Sequence, residues 1–74
     1  MARTVDDATI TSAVKMRFAK DETVKAFAIN VDTKNGDVTL TGTVKSQAEA
    51  DRAIELARGI EGVKNVTSNL TIKK

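Results

Sequence analysis

Residues 27–44 read FAINVDTKNGDVTLTGTV and decide the fold. The larger apolar residues alternate with small or polar ones over 27–34 and again over 37–44, which is the period of a strand with one buried face. Between the two runs lies Asn35-Gly36, a dipeptide that tolerates the two positive φ angles of a type I′ turn. The stretch therefore predicts two antiparallel strands, 27–34 and 37–44, joined by a two-residue hairpin loop.

A two-residue loop also fixes which residues face each other across the hairpin. Ile29 lies opposite Gly42 and Val31 lies opposite Leu40, so the large apolar side chains share one face of the sheet. Gly42 has no side chain to pack. We expect either a β-bulge at this glycine or clearance for a helix or a neighbouring backbone that crosses the face.

A helix is predicted before the hairpin, over residues 7–20. Its apolar residues recur at the spacing of one helix face. The apolar stripe consists of Ile10, Ala13, Val14 and Phe18. Asp6 or Asp7 is expected to cap the first turn, because a carboxylate there accepts hydrogen bonds from free backbone amides.

A second helix is predicted after the hairpin, over residues 47–58. Ser46 and Glu49 form a capping box, in which the Ser hydroxyl and the Glu carboxylate each accept a backbone N–H at the helix start. Gly59 follows the last apolar residue of the helix. We expect Gly59 to end the helix in the left-handed conformation.

A third strand is predicted over residues 65–73, after a turn at Gly62. The element order is then α-β-β-α-β, in which a crossover helix makes the third strand parallel to the second. The economical assembly is a single α+β domain over 1–74, a two-layer α-β-β-α-β sandwich with two helices packed on one face of a three-stranded mixed sheet. The sequence leaves open whether strand three lies beside strand one or strand two.

The composition restricts the chemistry. The chain has 74 residues, twelve of them Lys or Arg and ten Asp or Glu, and it contains neither Cys nor His. The missing residue types exclude disulfides, thiolate or imidazole metal sites, and Cys or His catalysis. This composition argues against most enzymes, and we expect no catalytic residue, no metal site and no cofactor.

No segment of the sequence predicts a membrane span or an export signal. The longest apolar run, 26–29, is far shorter than the roughly 20 residues of a spanning helix. The start, 1–7, lacks the apolar stretch of an export signal. We expect either a cytosolic protein or a mature or excised module whose targeting segment is not part of the sequence.

Two further motifs have ordinary structural explanations. The paired carboxylates Asp6/Asp7 and Asp21/Glu22 lie at predicted helix ends, where capping and solvation account for them. The run 59–62, Gly-Ile-Glu-Gly, matches the G-x-x-G pattern of KH domains, but it lies between a helix and a strand and its acidic residue would repel phosphate. We expect no nucleic-acid partner.

Basic residues concentrate at the end of the first predicted helix and in the linker that follows, beside a methionine. The group consists of Lys15, Met16, Arg17, Lys20 and Lys25. Such a group can rest on anionic lipid headgroups, with about 1 kcal/mol per cation near the surface. The alternative is a solvated face whose charge is partly offset by the neighbouring acids.

The hairpin segment 35–44 (Asn-Gly-Asp-Val-Thr-Leu-Thr-Gly-Thr-Val), followed by a helix and by 62–66 (Gly-Val-Lys-Asn-Val), resembles the BON domain, named after bacterial OsmY and nodulation proteins. The resemblance covers nearly the whole chain. It implies the same α-β-β-α-β fold that the periodicity predicts.

The resemblance implies a non-enzymatic binding module of the bacterial cell envelope that binds anionic phospholipid or an envelope protein in osmotic stress or envelope maintenance. BON modules commonly occur in pairs or beside other domains, which implies a part of a longer multi-domain protein. The location implied is the periplasm or cell envelope, whereas a native start without a signal would mean the cytoplasm. The first hypothesis is lipid docking through the basic group at 15–25.

Two alternatives stay open. A protein-interaction or holdase chaperone module would use an exposed strand edge to pair with extended chains. A cytosolic potassium-responsive module is the other alternative, because a cytosolic potassium-binding protein carries a BON domain. Suppression of client aggregation without lipid distinguishes the first, and a thermal midpoint that depends on potassium distinguishes the second.

Overall fold

The computed structural model describes residues 5–24 and 29–73, which form two helices and three strands. In chain order the elements are α1 (Asp7–Lys20), β1 (Ile29–Lys34), β2 (Asp37–Val44), α2 (Gln47–Arg58) and β3 (Asn65–Ile72). Both helices pack on one face of the mixed sheet. The predicted α+β class and the α-β-β-α-β order are confirmed.

The described bounds of two strands are narrower than the predicted ones. Of the predicted strand 27–34, residues 27 and 28 lie outside the described residues. The predicted strand 65–73 is one residue too long, because β3 ends at Ile72. Lys73 still donates its backbone N–H to the Val44 carbonyl at 2.8 Å, but it has no residue beside it on β2.

The central strand of the sheet is β2. It pairs antiparallel with β1, from Ile29–Gly42 to Lys34–Asp37, in the register that the two-residue loop predicts. Asn35 and Gly36 have φ angles of 52° and 84°, as a type I′ turn requires. On its other side β2 pairs parallel with β3, so the strand order β1-β2-β3 answers the question that the sequence left open.

Gly42 does not form the β-bulge that the sequence suggested as one alternative. It pairs one-for-one with Ile29 on β1 and with Leu70 on β3, and the register continues unbroken on both sides. Its φ angle is 131°, a backbone conformation that side-chain-bearing residues rarely adopt. The glycine is therefore explained by this backbone conformation, which departs from that of a regular strand although the pairing on both sides continues.

The core lies between the helices and the sheet. The largest fully buried side chains come from α1 and β2, namely Phe18, Ile10, Leu40, Val14, Val38 and Val44. Burying each of these side chains contributes about 1.5–3 kcal/mol. The buried residues of the helix α2 are Glu49 and the alanines at positions 50, 53 and 57, and these small alanine side chains let the helix lie close to the rest of the core.

Both helices begin with a side-chain cap. Asp6 caps α1 by accepting the Thr9 N–H at 2.8 Å, and Ser46 caps α2 by accepting the Glu49 N–H at 3.2 Å. The return bond of the predicted capping box differs by one residue. The Glu49 carboxylate accepts the N–H of Lys45, at 3.2 Å, instead of that of Ser46.

The helix α2 does not end on a left-handed glycine. Gly59 has φ −78° and ψ −5°, which is right-handed, so the prediction for Gly59 is wrong. The chain instead tightens into successive short turns, with Ile60 N–H donating to the Ala57 carbonyl and Val63 N–H to the Ile60 carbonyl. The left-handed residue is Gly62, with φ 95°.

Asp7, in the first turn of α1, ties that helix to the hairpin turn. Its carboxylate accepts the N–H of Asn35 at 2.9 Å and the N–H of Gly36 at 3.1 Å. A second bond joins the same elements further along, between the hydroxyls of Thr11 and Thr33 at 2.8 Å. These contacts fix α1 over β1 and so set the position of the outer face of α1.

Candidate functional site

A groove with a volume of about 1000 Å³ lies between α1 and α2 and is called the α1–α2 groove below. The helix α1 contributes residues at three- and four-residue spacing, which lie on one helix face beside its buried stripe. The turn after α2 closes one end with Ile60. The apolar part of the lining is formed by Val5, Ile10, Ala13, Met16, Leu56 and Ile60.

Three of the five residues of the predicted basic group line this groove. They are Met16, Arg17 and Lys20. Lys15 is exposed but does not line it, because its position on α1 turns it away from the face that carries Ala13 and Met16. Lys25 lies outside the described residues.

The groove has further residues that the sequence did not single out. Arg52 and Leu56 are four residues apart on α2, and Ile60 follows in the next turn. Their spacing is a visible signal of one helix face. Their facing α1, however, depends on how the two helices pack, and a periodic pattern does not contain that information.

The basic residues of the groove differ in how far they are already paired. Arg52 donates its Nε to the Asp21 carboxylate at 3.0 Å and its guanidinium also reaches Glu55 at 3.3 Å. Neither Arg17 nor Lys20 forms an ion pair with any residue in 5–24 or 29–73. Arg17 and Lys20 are therefore the cations with charge to offer an anionic ligand.

The acidic residues beside the groove are engaged within the protein. Hydrogen bonds from the side chain and the backbone of Thr9 lower the pKa of Asp6. Partial burial raises the pKa of Asp21, but hydrogen bonds from Arg52, Thr23 and Val24 outweigh that effect and leave it below 3.8. Glu61 also has an interaction within the protein. Both aspartates are thus ionised at neutral pH, with their oxygens occupied.

The pairing of Asp21 predicts a pH-dependent contribution to stability. Because the folded-state pKa is lowered, the stabilisation is present above pH 3.8 and is lost as the pH falls through the lower folded-state value. We expect Asp21→Asn to unfold at a lower urea concentration than the parent at pH 7, and the difference to narrow at acid pH, where the parent carboxyl is also neutral.

Glu22→Gln is the matched control for this measurement, since Glu22 is the exposed neighbour of Asp21. Its urea midpoint should follow that of the parent at every pH. A difference between Asp21→Asn and the parent that stays constant from pH 7 to acid pH would contradict the role given to the ionised carboxylate.

The described residues 5–24 and 29–73 contain no group of three acidic side chains that could hold a metal ion. Neither α1 nor α2 is long and apolar enough to cross a lipid bilayer. The α1–α2 groove offers a partly apolar surface that includes Arg17 and Lys20, two cations without an ion pair in the described part of the chain.

Comparison with known proteins places the chain in a family. The family model of the BON domain matches residues 6–74. The chain belongs to the BON domain family. The match extends from the cap of α1 beyond the end of β3, so this BON domain includes both helices and all three strands given above.

Several bacterial proteins are similar to this BON domain. Osmotically-inducible protein Y of Escherichia coli (strain K12) is 39% identical over 93% of the chain and 34% of its own length. The 21 kDa hemolysin of Actinobacillus pleuropneumoniae is 43% identical over 81% of the chain and 30% of its own length. Outer membrane lipoprotein DolP of Haemophilus influenzae is 38% identical over 92% of the chain and 36% of its own length. The chain thus spans about a third of each relative.

A solved structure shares the fold. The C-terminal domain of CdsD, the structural protein of the type III secretion system of Chlamydia trachomatis, superposes with a TM-score of 0.76 over 97% of this chain and 36% of that one. The sequence identity is 16%. At that identity the likeness concerns the fold alone.

Proposed function

We propose that this BON domain is a non-enzymatic binding module of the bacterial cell envelope that docks on anionic phospholipid through the α1–α2 groove. In this proposal Arg17 and Lys20 contact headgroup phosphates, while Met16 and Leu56 contact the glycerol and the first acyl carbons. The contact is reversible and superficial, since the described helices do not span a bilayer.

One observation carries the proposal: an exposed apolar side chain lies on the same helix face as two cations that form no ion pair with residues 5–24 or 29–73. Met16 is 59% exposed, and Arg17 and Lys20 beside it line the same groove. A large apolar side chain left in water next to positive charge is typical of a surface that meets the interface of a negatively charged membrane. Two cations there contribute roughly 2 kcal/mol of attraction at about 1 kcal/mol each.

The relatives support a role in the envelope. One similar protein is named an outer membrane lipoprotein and another is named osmotically inducible. Carried over to this chain, these names favour an envelope or osmotic-stress setting in the periplasm, with a longer protein around the module.

Binding to vesicles tests the proposal. The parent should co-sediment with vesicles that contain phosphatidylglycerol and stay in solution with vesicles of phosphatidylcholine alone. The double variant Arg17→Gln, Lys20→Gln should bind phosphatidylglycerol vesicles roughly thirtyfold more weakly, which is the loss of about 1 kcal/mol for each of two cations. Binding by the parent should weaken as salt is raised.

The matched control is Lys15→Gln, Lys34→Gln. It has the same net charge as the test variant, and both lysines are exposed and lie outside the α1–α2 groove. We expect this control to keep most of the affinity. Equal losses in the two double variants would mean that overall charge and not the groove attracts the membrane, and the proposed site would be wrong.

The potassium-responsive alternative stays a prediction from the family resemblance. The protein-interaction alternative has a specific structural feature in its favour, which is an uncharged strand edge on the far side of α2 from α1.

A further inference from the structure

The two outer edges of the sheet differ in how they are protected. The β1 edge carries the charged residues Asp32 and Lys34, and its apolar residues Ile29 and Val31 are buried. The β3 edge carries no charged residue, proline or glycine from Asn65 to Ile72, and each of its residues is exposed or half-buried. Charges, prolines and bulges are the features that block pairing at an exposed edge. The β3 edge lacks all of them.

Alternate residues of β3 direct their backbone groups away from the sheet. The Lys73 N–H donates to the Val44 carbonyl of β2, so odd-numbered positions face β2. The register agrees, because Val44 pairs with Ile72 and a parallel ladder bonds a residue to the neighbours of its partner. The even-numbered residues therefore present N–H and C=O groups to the outside. They are Val66, Ser68, Leu70 and Ile72.

The same row offers apolar surface on the helix side of the sheet. Val66 and Leu70 pack against the core but are only partly buried, and Ile72 is 40% exposed. In a sheet, side chains on one face contact those directly opposite on the next strand. A strand added at this edge would therefore cover the row while its backbone bonded to the free groups.

Positive charge stands at both ends of this uncharged edge. Lys64 precedes β3, Lys73 follows it, and both are exposed. Arg58, at the end of α2, shares with Lys64 a small concavity of about 330 Å³ beside the start of β3. Within the described part of the chain none of these three cations is in an ion pair.

We propose that the β3 edge binds an extended segment of a partner protein that is uncharged and β-forming in its middle and acidic at both ends. The segment adds as a fourth strand beside β3, with its backbone bonded to the even-numbered residues from Val66 to Ile72. The acidic side chains at the two ends of the segment lie near Lys64 and Lys73. This site is separate from the α1–α2 groove and does not depend on lipid.

A second copy of this chain fits the edge less well than an acidic segment. Two β3 strands paired antiparallel with Val66 opposite Ile72 also set Asn65 opposite Lys73. That register brings Lys64 of one copy and Lys73 of the other together at both ends, where like charges repel. The cations that disfavour self-association are the ones that attract an acidic partner.

The test uses two synthetic peptides, each with alternating threonine and valine residues in the middle. One has glutamates at both ends and the other has lysines. By fluorescence anisotropy in lipid-free buffer, the parent should bind the glutamate-flanked peptide at least about tenfold more tightly than the lysine-flanked one. On binding, the amides of Ser68 and Leu70 should gain protection from hydrogen exchange, whereas those of Thr67 and Asn69 are protected beforehand.

Two variants locate the site. Ser68→Pro removes an outward-facing N–H and leaves the bonds to β2 in place. Edge strands accept proline at such a position. The variant should no longer bind the glutamate-flanked peptide. The double variant Lys64→Gln, Lys73→Gln leaves every backbone group in place, so it keeps the proposal testable if the proline variant unfolds. It should weaken binding of the glutamate-flanked peptide about tenfold. The same-charge control Lys15→Gln, Lys34→Gln, whose exposed lysines lie on α1 and β1, should bind like the parent.

Three results would overturn the proposal. The first is equal affinity of the parent for both peptides, and the second is new exchange protection on β1 in place of β3. The third is a concentration-dependent dimer of the parent that Ser68→Pro makes monomeric, which would make a second copy the occupant of the edge.

Discussion

Gly62→Ala should lower the free energy of unfolding by about 3 kcal/mol, through backbone strain and overpacking together. Gly62 has φ 95°, in the left-handed region that alanine adopts only under strain. A Cβ atom there would lie 3.0 Å from Cβ of Val5 and 3.2 Å from Cδ1 of Ile10. Ile10 is fully buried in the core, so it has little room to move. Urea unfolding followed by circular dichroism measures the loss.

Gly59→Ala is the matched control, three residues earlier in the same connection. Gly59 has a right-handed backbone, and an added Cβ would meet only the Leu56 and Glu55 carbonyl oxygens at 3.6 and 3.8 Å, which is ordinary contact. We therefore expect Gly59→Ala to raise the free energy of unfolding by about 0.4–1 kcal/mol, because the alanine lowers the entropy of the unfolded chain without straining the folded one. Equal urea midpoints for the two variants would contradict the description of this turn.

Asp7→Ala should lower the free energy of unfolding by about 2 kcal/mol, since hydrogen bonds to a charged group are worth about 1.5–3 kcal/mol when buried and less when water competes. The variant leaves the N–H groups of Asn35 and Gly36 without their acceptor. Gly36 is buried, so water does not readily replace the carboxylate there. Thermal and urea unfolding at neutral pH measure the effect.

Two further variants separate the hydrogen bonds from the charge of Asp7. Asp7→Asn keeps a single carbonyl oxygen that can accept one of the two N–H groups. Its free energy of unfolding should therefore lie between that of the parent and that of Asp7→Ala. Glu22→Ala removes an exposed carboxylate near the other end of α1 and should change stability by less than about 0.5 kcal/mol. A loss for Glu22→Ala as large as that for Asp7→Ala would assign the effect to net charge.

The hairpin could be predicted from the sequence in detail because its determinants are local. The type I′ turn needs two positive φ angles, Asn35-Gly36 tolerates them, and a loop of that length admits one register. The same is true of the caps by Asp6 and Ser46, whose partners lie three residues away. Features of this kind depend on residues that are close together in the sequence, so the sequence predicts them.

The features that the sequence did not reveal depend on distant segments. The position of β3 beside β2 follows from the crossover of α2, which a strand pattern does not encode. The bonds from Asp7 to the turn join residues 28 and 29 positions apart. Gly59 and Gly62 look alike as turn glycines in the sequence, and the structure shows that Gly62, beside Val5 and Ile10, is the left-handed one.

The sequence predicted only part of the candidate site, because the rest of the site depends on how distant segments pack. The cations on α1 are visible in the sequence, but the separation of Arg17 and Lys20 from Lys15 requires the orientation of the helix on the sheet. Leu56 and Ile60, which line the same groove as Met16, come from a segment about forty residues later, and the packing of the two helices brings them to the groove. A linear cluster of charge does not specify them.

The central claim is that the α1–α2 groove receives anionic phospholipid, and NMR tests it most directly. Methyl resonances are recorded while phosphatidylglycerol micelles, or phosphatidylcholine micelles as control, are added to the protein. We expect salt-sensitive shifts of the Met16, Leu56 and Ile60 methyls with phosphatidylglycerol, and no shift of the Val66 and Leu70 methyls at the β3 edge. Shifts centred on the β3 edge, or equal shifts with both lipids, would contradict it.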